Sequence, residues 1–254
     1  MDHGDVAVAS PPPRVYRVAR CGGDPFAPPP WDRAGPDGTF GGRFDDPSAD
    51  RGLTIHQRFR AVYCATTTEG AFGETVARFR PSITLLAKLQ EIDDEEESGA
   101  GPGFKAEPGL LAGGVVPADW RIRRHLAQTE LEPTLQFVDL AAPRTHQYLR
   151  RVLAPTISAL GASDLDFGTV VGPHRALTQH CARAIYELRA GNDAPAFAGI
   201  RYLSRLNPEW ECWAIFADRL ARTSWSATAI ASDHPDLRSA CGLLGLSIET
   251  ISGQ

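Results

Sequence analysis

The sequence predicts an α+β fold, because strand-like and helix-like segments are mixed along it without the regular alternation of a doubly wound sheet. Three observations carry this expectation. Short apolar or alternating runs at 59–65, 197–203 and 211–216 read as strands. Longer runs at 143–160 and 174–188, with apolar residues three and four apart, read as helices. The 254 residues are 43% hydrophobic and 22% charged, enough for one full-sized core, so a single domain is the simpler organisation.

Taken in order, residues 1–13 end in Pro11, Pro12 and Pro13 and are expected to form a disordered leader. The domain is expected to span 14–254. Residues 15–19 alternate like a short strand, and 21–42 is a long loop rich in glycine and proline with Phe26, Trp31 and Phe40 as aromatic anchors. The strand at 59–65 is followed by Thr66, Thr67 and Thr68 as candidate N-caps and by a helix carrying Phe72, Val76 and Phe79, which Pro81 stops. The stretch 91–108, EIDDEEESGAGPGFKAEP, joins an acidic run to glycines and is expected as a solvated acidic loop. Strands are expected at 110–116 and 135–140, then the two long helices, the strands at 197–203 and 211–216, and a closing helix and strand after Pro235. The apolar segment 243–251 is expected to be a last strand of the core rather than a dimer contact.

Charge and composition narrow the functional classes. A formal net charge of -5 gives no bulk attraction to nucleic acid. No stretch approaches the roughly 18 to 20 consecutive apolar residues of a membrane span. The five cysteines are an odd number without a CxxC pair, and the N-terminus has no basic and then apolar run of a signal peptide, so they read as reduced thiols in a cytoplasmic protein. His56, His125, His146, His174 and His180 show no ligand spacing with acids or cysteines, and no metal is expected.

Three segments hold candidate chemistry, and each has a plainer explanation. In Phe40-Gly41-Gly42-Arg43-Phe44-Asp45-Asp46-Pro47, two glycines allow backbone to approach a ligand and Arg43 offers a planar five-donor fork suited to phosphate or ribose. The plainer reading is a turn whose Arg43 pairs with Asp45 or Asp46 at the surface. In the second segment, Tyr63 near a strand end and Glu74 on the next helix could stack on a flat cationic ring and steady positive charge on a sugar. Equally, Tyr63 is strand core and Glu74 pairs with Arg78 one turn on. Glu69 competes with Glu74, but an acid in a first helical turn is explained by the macrodipole. The third segment, Gly199-Ile200-Arg201-Tyr202-Leu203-Ser204-Arg205, reads as a buried strand opening at Ser204, whose hydroxyl could meet a ligand or cap a turn. Ser204 lacks the GxSxG elbow of a hydrolase nucleophile. The arginines Arg17, Arg201 and Arg205 could line a cleft or pair with the acidic surplus.

In this order, the three segments resemble the RES family, whose pattern joins a Gly-Gly-Arg, a strand ending in Tyr-x-Ala, a helix with Glu, and a late Gly-Ile-x-Tyr-x-Ser strand. The matching positions here are Arg43, Tyr63, Glu74 and Ser204, and the resemblance covers about residues 14–220. The stretch 45–60 is longer and more charged than in many members, and the loop after Ser204 reads SRLNPEWECW instead of being small and glycine-rich. The resemblance implies a fold similar to ADP-ribosyltransferase toxins, with a split, bent β core and surrounding helices. It also implies an enzyme that cleaves the nicotinamide glycosidic bond of NAD as substrate, by hydrolysis or with inorganic phosphate. It further implies the toxin of a toxin-antitoxin pair restrained by a helix-turn-helix antitoxin. Arg43 would hold the pyrophosphate or the nicotinamide ribose, Tyr63 would stack on nicotinamide, Glu74 would stabilise the oxocarbenium-like sugar, and Ser204 would orient ribose or phosphate. Transfer of ADP-ribose to a macromolecule and non-catalytic binding of NAD or a partner are the alternatives.

Overall fold

The computed structural model describes residues 5–47, 52–84, 87 and 114–250. The expected acidic loop at 91–108 lies outside them, as do 110–113 of the strand expected at 110–116.

Eight strands form one sheet: β1 (Val8–Ala9), β2 (Val15–Arg20), β3 (Ala61–Ala65), β5 (Arg124–Leu131), β6 (Phe137–Asp139), β7 (Gly199–Leu203), β8 (Glu211–Phe216) and β9 (Arg222–Ala229). Their spatial order is β1-β6-β7-β8-β3-β2-β5-β9. β6 and β7 run parallel, and the other neighbours are antiparallel. The short strands β4 (Val115–Val116) and β10 (Ser247–Ile248) make a separate parallel pair. Among the described residues the helices are α1 (Thr68–Val76), α2 (Ala118–Ile122), α3 (Pro143–Ala159), α4 (Phe167–Val171), α5 (Arg175–Tyr186) and α6 (Pro235–Leu243). The fold is α+β, as the sequence predicts.

Alternation along the strands gives the sheet two apolar faces. Ala65, Val138, Ile200, Tyr202, Ala214 and Phe216 share a core with Phe72 of α1, Leu149 of α3 and Leu177 and Ile185 of α5. On the opposite face Val62, Cys64, Phe137, Trp213 and Ile215 pack around Phe26, the loop anchor, which is 1% exposed. The stretch 21–42 is therefore held by an aromatic plug on this face, and Trp31 packs against Phe40 at 5.3 Å between centroids.

One feature of the ladder positions the site. β2 pairs with β5 along its whole length, and β3 with β8 along its whole length. β2 and β3 pair only at Tyr16 and Ala65. Beyond that point the two strands part, so the sheet has a notch at its centre where unpaired backbone and alternating side chains can meet a ligand.

Three expectations need correction. The leader is not disordered over its described part: Val6 is buried in the main core, and Val8 and Ala9 pair with Val138 and Phe137. Ala7 donates to Thr145 and accepts from Asp139. A short strand satisfies the free edge of β6, and Pro11–Pro13 then form the connector after it rather than the tail of an unstructured arm. Second, β5 and β9 were not expected as strands, although they complete one side of the sheet. Third, the helix expected to carry Phe79 ends earlier, at Val76, and passes into a 3-10 turn at Ala77–Phe79. The described part of 243–251 does enter the core, through Leu244 and Leu246, and its short strand β10 pairs with β4.

Candidate active site

The notch opens into a cavity of about 620 Å³. β2 contributes Tyr16, Arg17 and Val18, β3 contributes Tyr63, Cys64 and Ala65, and α1 contributes Ala71, Glu74 and Thr75. Gly41, Gly42 and Arg43 come from the loop before β3, Gly172, Pro173 and Arg175 from the start of α5, and Tyr202 and Arg205 from β7 and its end. Arg78 follows α1 and also faces the cavity.

The Gly-Gly-Arg segment is held tightly. Gly42 donates its amide to Asp45 Oδ2 at 2.6 Å, and its carbonyl accepts from Gln179 Nε2 at 2.9 Å. Phe44 donates its amide to the Tyr63 hydroxyl at 2.9 Å, and that hydroxyl donates to Asp45 Oδ1 at 3.0 Å. A Cβ on residue 42 would lie 2.3 Å from the Tyr63 hydroxyl oxygen and 2.4 Å from Asp45 Oδ2, so glycine is required for steric rather than conformational reasons. Asp45 therefore does not form the surface pair with Arg43 that a simple turn would give. It is 3% exposed, and burial pushes its carboxyl above the usual range against the opposing pull of Gly42 and Tyr63. Burial, with Asp45 beside it, likewise holds the Tyr63 phenol well above its ordinary value.

Arg43 itself donates to the carbonyl of Val170 in α4, and its Nε is buried without a partner. Burial is the largest influence on its guanidinium and pulls the pKa down, with Tyr202 and Glu74 opposing and Arg205 reinforcing. A cation with no carboxylate paired to it among the described residues, and partly stripped of water, suits an anionic ligand.

Across the cavity, Glu74 accepts a hydrogen bond from the Ser204 hydroxyl, and Ser204 Oγ accepts from Leu206 N at 3.0 Å. Ser204 is 3% exposed and lies behind Glu74. α1 is oriented for this by Thr67, whose side chain caps Gly70 N at 3.1 Å, and by Gly73, where any Cβ would meet the Trp210 ring at 2.1 Å. The rival acid Glu69 is occupied by Trp210 Nε1 at 2.8 Å and Ser239 Oγ at 2.7 Å, away from the cavity.

All four residues singled out in the sequence thus come together: Arg43, Tyr63 and Glu74 on the cavity wall, and Ser204 bonded to Glu74. Of the further arginines considered, Arg17 and Arg205 line the cavity, but Arg201 is paired with Asp139 and Glu211 within the sheet. Sequence reasoning missed Arg175 as a wall residue. A signal existed, because a cation in the first turn of a helix opposes the macrodipole and follows Gly172-Pro173 here. Arg78 was considered only as a partner for Glu74. Among the described residues no cluster of three or more His, Cys, Asp or Glu is placed to hold a metal, and no helix is long and apolar enough to cross a membrane.

The model of the RES domain matches residues 14–95, a span that contains Arg43, Tyr63 and Glu74. The match covers about a third of the 254 residues, and over that span the chain is similar to the RES domain. Ser204 lies outside the matched span and reaches the RES residues through β7. No curated protein and no solved structure matches the chain. RES domains are associated with NAD and with toxin-antitoxin systems.

Proposed function

We propose that the cavity binds NAD and breaks the bond between nicotinamide and ribose, and that the chain is the toxin of a toxin-antitoxin pair restrained by a helix-turn-helix antitoxin. The observation that carries the catalytic reading is the convergence of Arg43, Tyr63 and Glu74 on one cavity, with Ser204 bonded to Glu74. Its volume lies within the ~300–1,000 Å³ of small-molecule sites. Arg17, Arg43, Arg78, Arg175 and Arg205 line it, and none of them forms an ion pair with a carboxylate among the described residues. Such a lining supports a substrate carrying phosphates.

On this reading Arg43 holds the diphosphate or the nicotinamide ribose, and the Tyr63 ring packs on nicotinamide. Glu74 accepts from a ribose hydroxyl and stabilises positive charge growing at C1′. Ser204 fixes the Glu74 carboxylate, so its orientation is set before substrate arrives. The glycosidic C1′–N bond breaks with its electron pair passing to the nicotinamide nitrogen, which leaves neutral. Water then adds to C1′ and releases a proton, giving ADP-ribose, or inorganic phosphate adds and gives ADP-ribose 1-phosphate. No covalent enzyme intermediate is needed.

The test is to incubate the purified chain with NAD, with and without inorganic phosphate, and to identify products by chromatography and mass spectrometry. Nicotinamide with ADP-ribose marks hydrolysis, and the phosphorylated sugar marks phosphorolysis. Intact NAD in both would overturn the reading in favour of ADP-ribose transfer to a macromolecular acceptor or of binding without turnover.

A further inference from the structure

We propose that Asp45 and Gln179 are positioning residues that preset Arg43, and that Tyr63 serves the site through its hydroxyl as the middle of this clamp. The amides on both sides of Arg43 are held by it: Gly42 N by Asp45 Oδ2 at 2.6 Å, and Phe44 N by the Tyr63 hydroxyl at 2.9 Å. The Asp45 carboxylate joins the two halves, because its other oxygen accepts from the Tyr63 hydroxyl at 3.0 Å. Gln179 closes the far side, with Nε2 donating to Gly42 O at 2.9 Å and to Phe40 O at 3.4 Å. Asp45 and Gln179 are 3% and 8% exposed, so these bonds are shielded from competing water.

The elements that supply the clamp come from separate parts of the chain: the loop itself, β3 through Tyr63, and α5 through Gln179. Their agreement on Phe40, Gly42 and Phe44 restricts the backbone around Arg43 while its guanidinium Nε has no partner among the described residues. A fixed backbone bearing an unsatisfied cationic head is a preorganised anion receptor, whose ordering cost is met in folding rather than in binding. Asp45 and Gln179 act only through Gly42, Phe40 and Tyr63, with no part in the reacting atoms. The proposal rests on the NAD reading only for its kinetic effect, since the clamp itself is read without substrate.

Hydrogen exchange of the full chain, followed by mass spectrometry of peptides spanning 40–46, tests the clamp directly. Asp45→Asn, Tyr63→Phe and Gln179→Leu are each expected to speed exchange there by about 5- to 10-fold, the equivalent of one shielded hydrogen bond, without changing exchange in β7 or β8. NAD cleavage, as kcat/KM, is expected to fall by a similar factor in each. Because Asp45 and Tyr63 share one bond, the Asp45→Asn/Tyr63→Phe double variant is expected to fall less than the product of the single losses. Unchanged exchange at 40–46 in both Asp45→Asn and Gln179→Leu would overturn the proposal, as would fully multiplicative losses in the double variant. Wild-type protein that leaves NAD intact would defeat the NAD reading alone, and the exchange data would still decide the clamp.

Discussion

Arg43 belongs to the loop before β3, Arg183 reaches Asp46 of the same loop from α5, and the two are treated in opposite ways. Arg183, on α5, donates to Asp46 Oδ2 at 3.0 Å, to Glu187 Oε1 at 2.7 Å and to the carbonyl of Gln57 at 3.0 Å. Arg43 has one carbonyl, that of Val170, and a buried Nε with no partner. The acids repeat the contrast: Glu69 is bonded by Trp210 and Ser239, whereas Glu74 has Ser204 behind it and the cavity in front. In these two pairs the framework charge is bonded by several protein groups, and the charge at the cavity is held in place but left incomplete. Arg121 and Arg219 also bury an unpartnered Nε away from the cavity, so an unfinished hydrogen-bond set marks a site residue only where it faces a cavity.

That contrast can be broken at either end. The largest effect is expected at Arg183→Ala, which removes the cation bonded to the buried Asp46 carboxylate and should cost about 3–5 kcal/mol in a urea melt. Arg43→Ala should leave the melt unchanged or shift it slightly upward, because it removes a poorly satisfied cation, while kcat/KM for NAD falls about 100-fold, roughly 2.7 kcal/mol of transition-state stabilisation. Glu69→Gln sharpens the comparison from the acid side: a stability loss of about 1–3 kcal/mol is expected, with turnover within about twofold of wild type. The smallest effect concerns the thiols. Burial pushes Cys64 and Cys181 up to about 12, so both stay protonated and unreactive at pH 8, and Cys212 and Cys241 are also shifted upward. A thiol reagent at that pH should therefore label the exposed Cys21 in folded protein and all five cysteines after denaturation.

Much of this was legible in the sequence where burial writes itself as pattern. The runs that became β3, β7 and β8 are apolar because both of their faces are covered, and α3 and α5 show their buried stripes at helical spacing. The strands that escaped notice are the polar ones. β9, RTSWSATA, is an edge strand with largely exposed side chains, and β5, RHLAQTEL, lies next to it with a mixed face. Their strand character comes from pairing with β2 and with each other, which no local pattern reports. The leader was misread for a similar reason, since Val6, Val8 and Ala9 gain order only from a partner edge more than a hundred residues away. The candidate site was legible as residue types in order, but its geometry was not. Nothing in the sequence says that β2 and β3 separate after one pair, that Asp45 turns inward to Tyr63, or that Arg175 arrives from α5.

The most direct test of the central claim is nicotinamide release from NAD by Glu74→Gln beside wild-type protein, with NAD affinity measured on the same samples. The account predicts a rate lower by about 100-fold or more, with affinity close to wild type, because glutamine keeps the shape and loses the charge that faces C1′ in the transition state. A Glu74→Gln protein that releases nicotinamide at the full rate would contradict it.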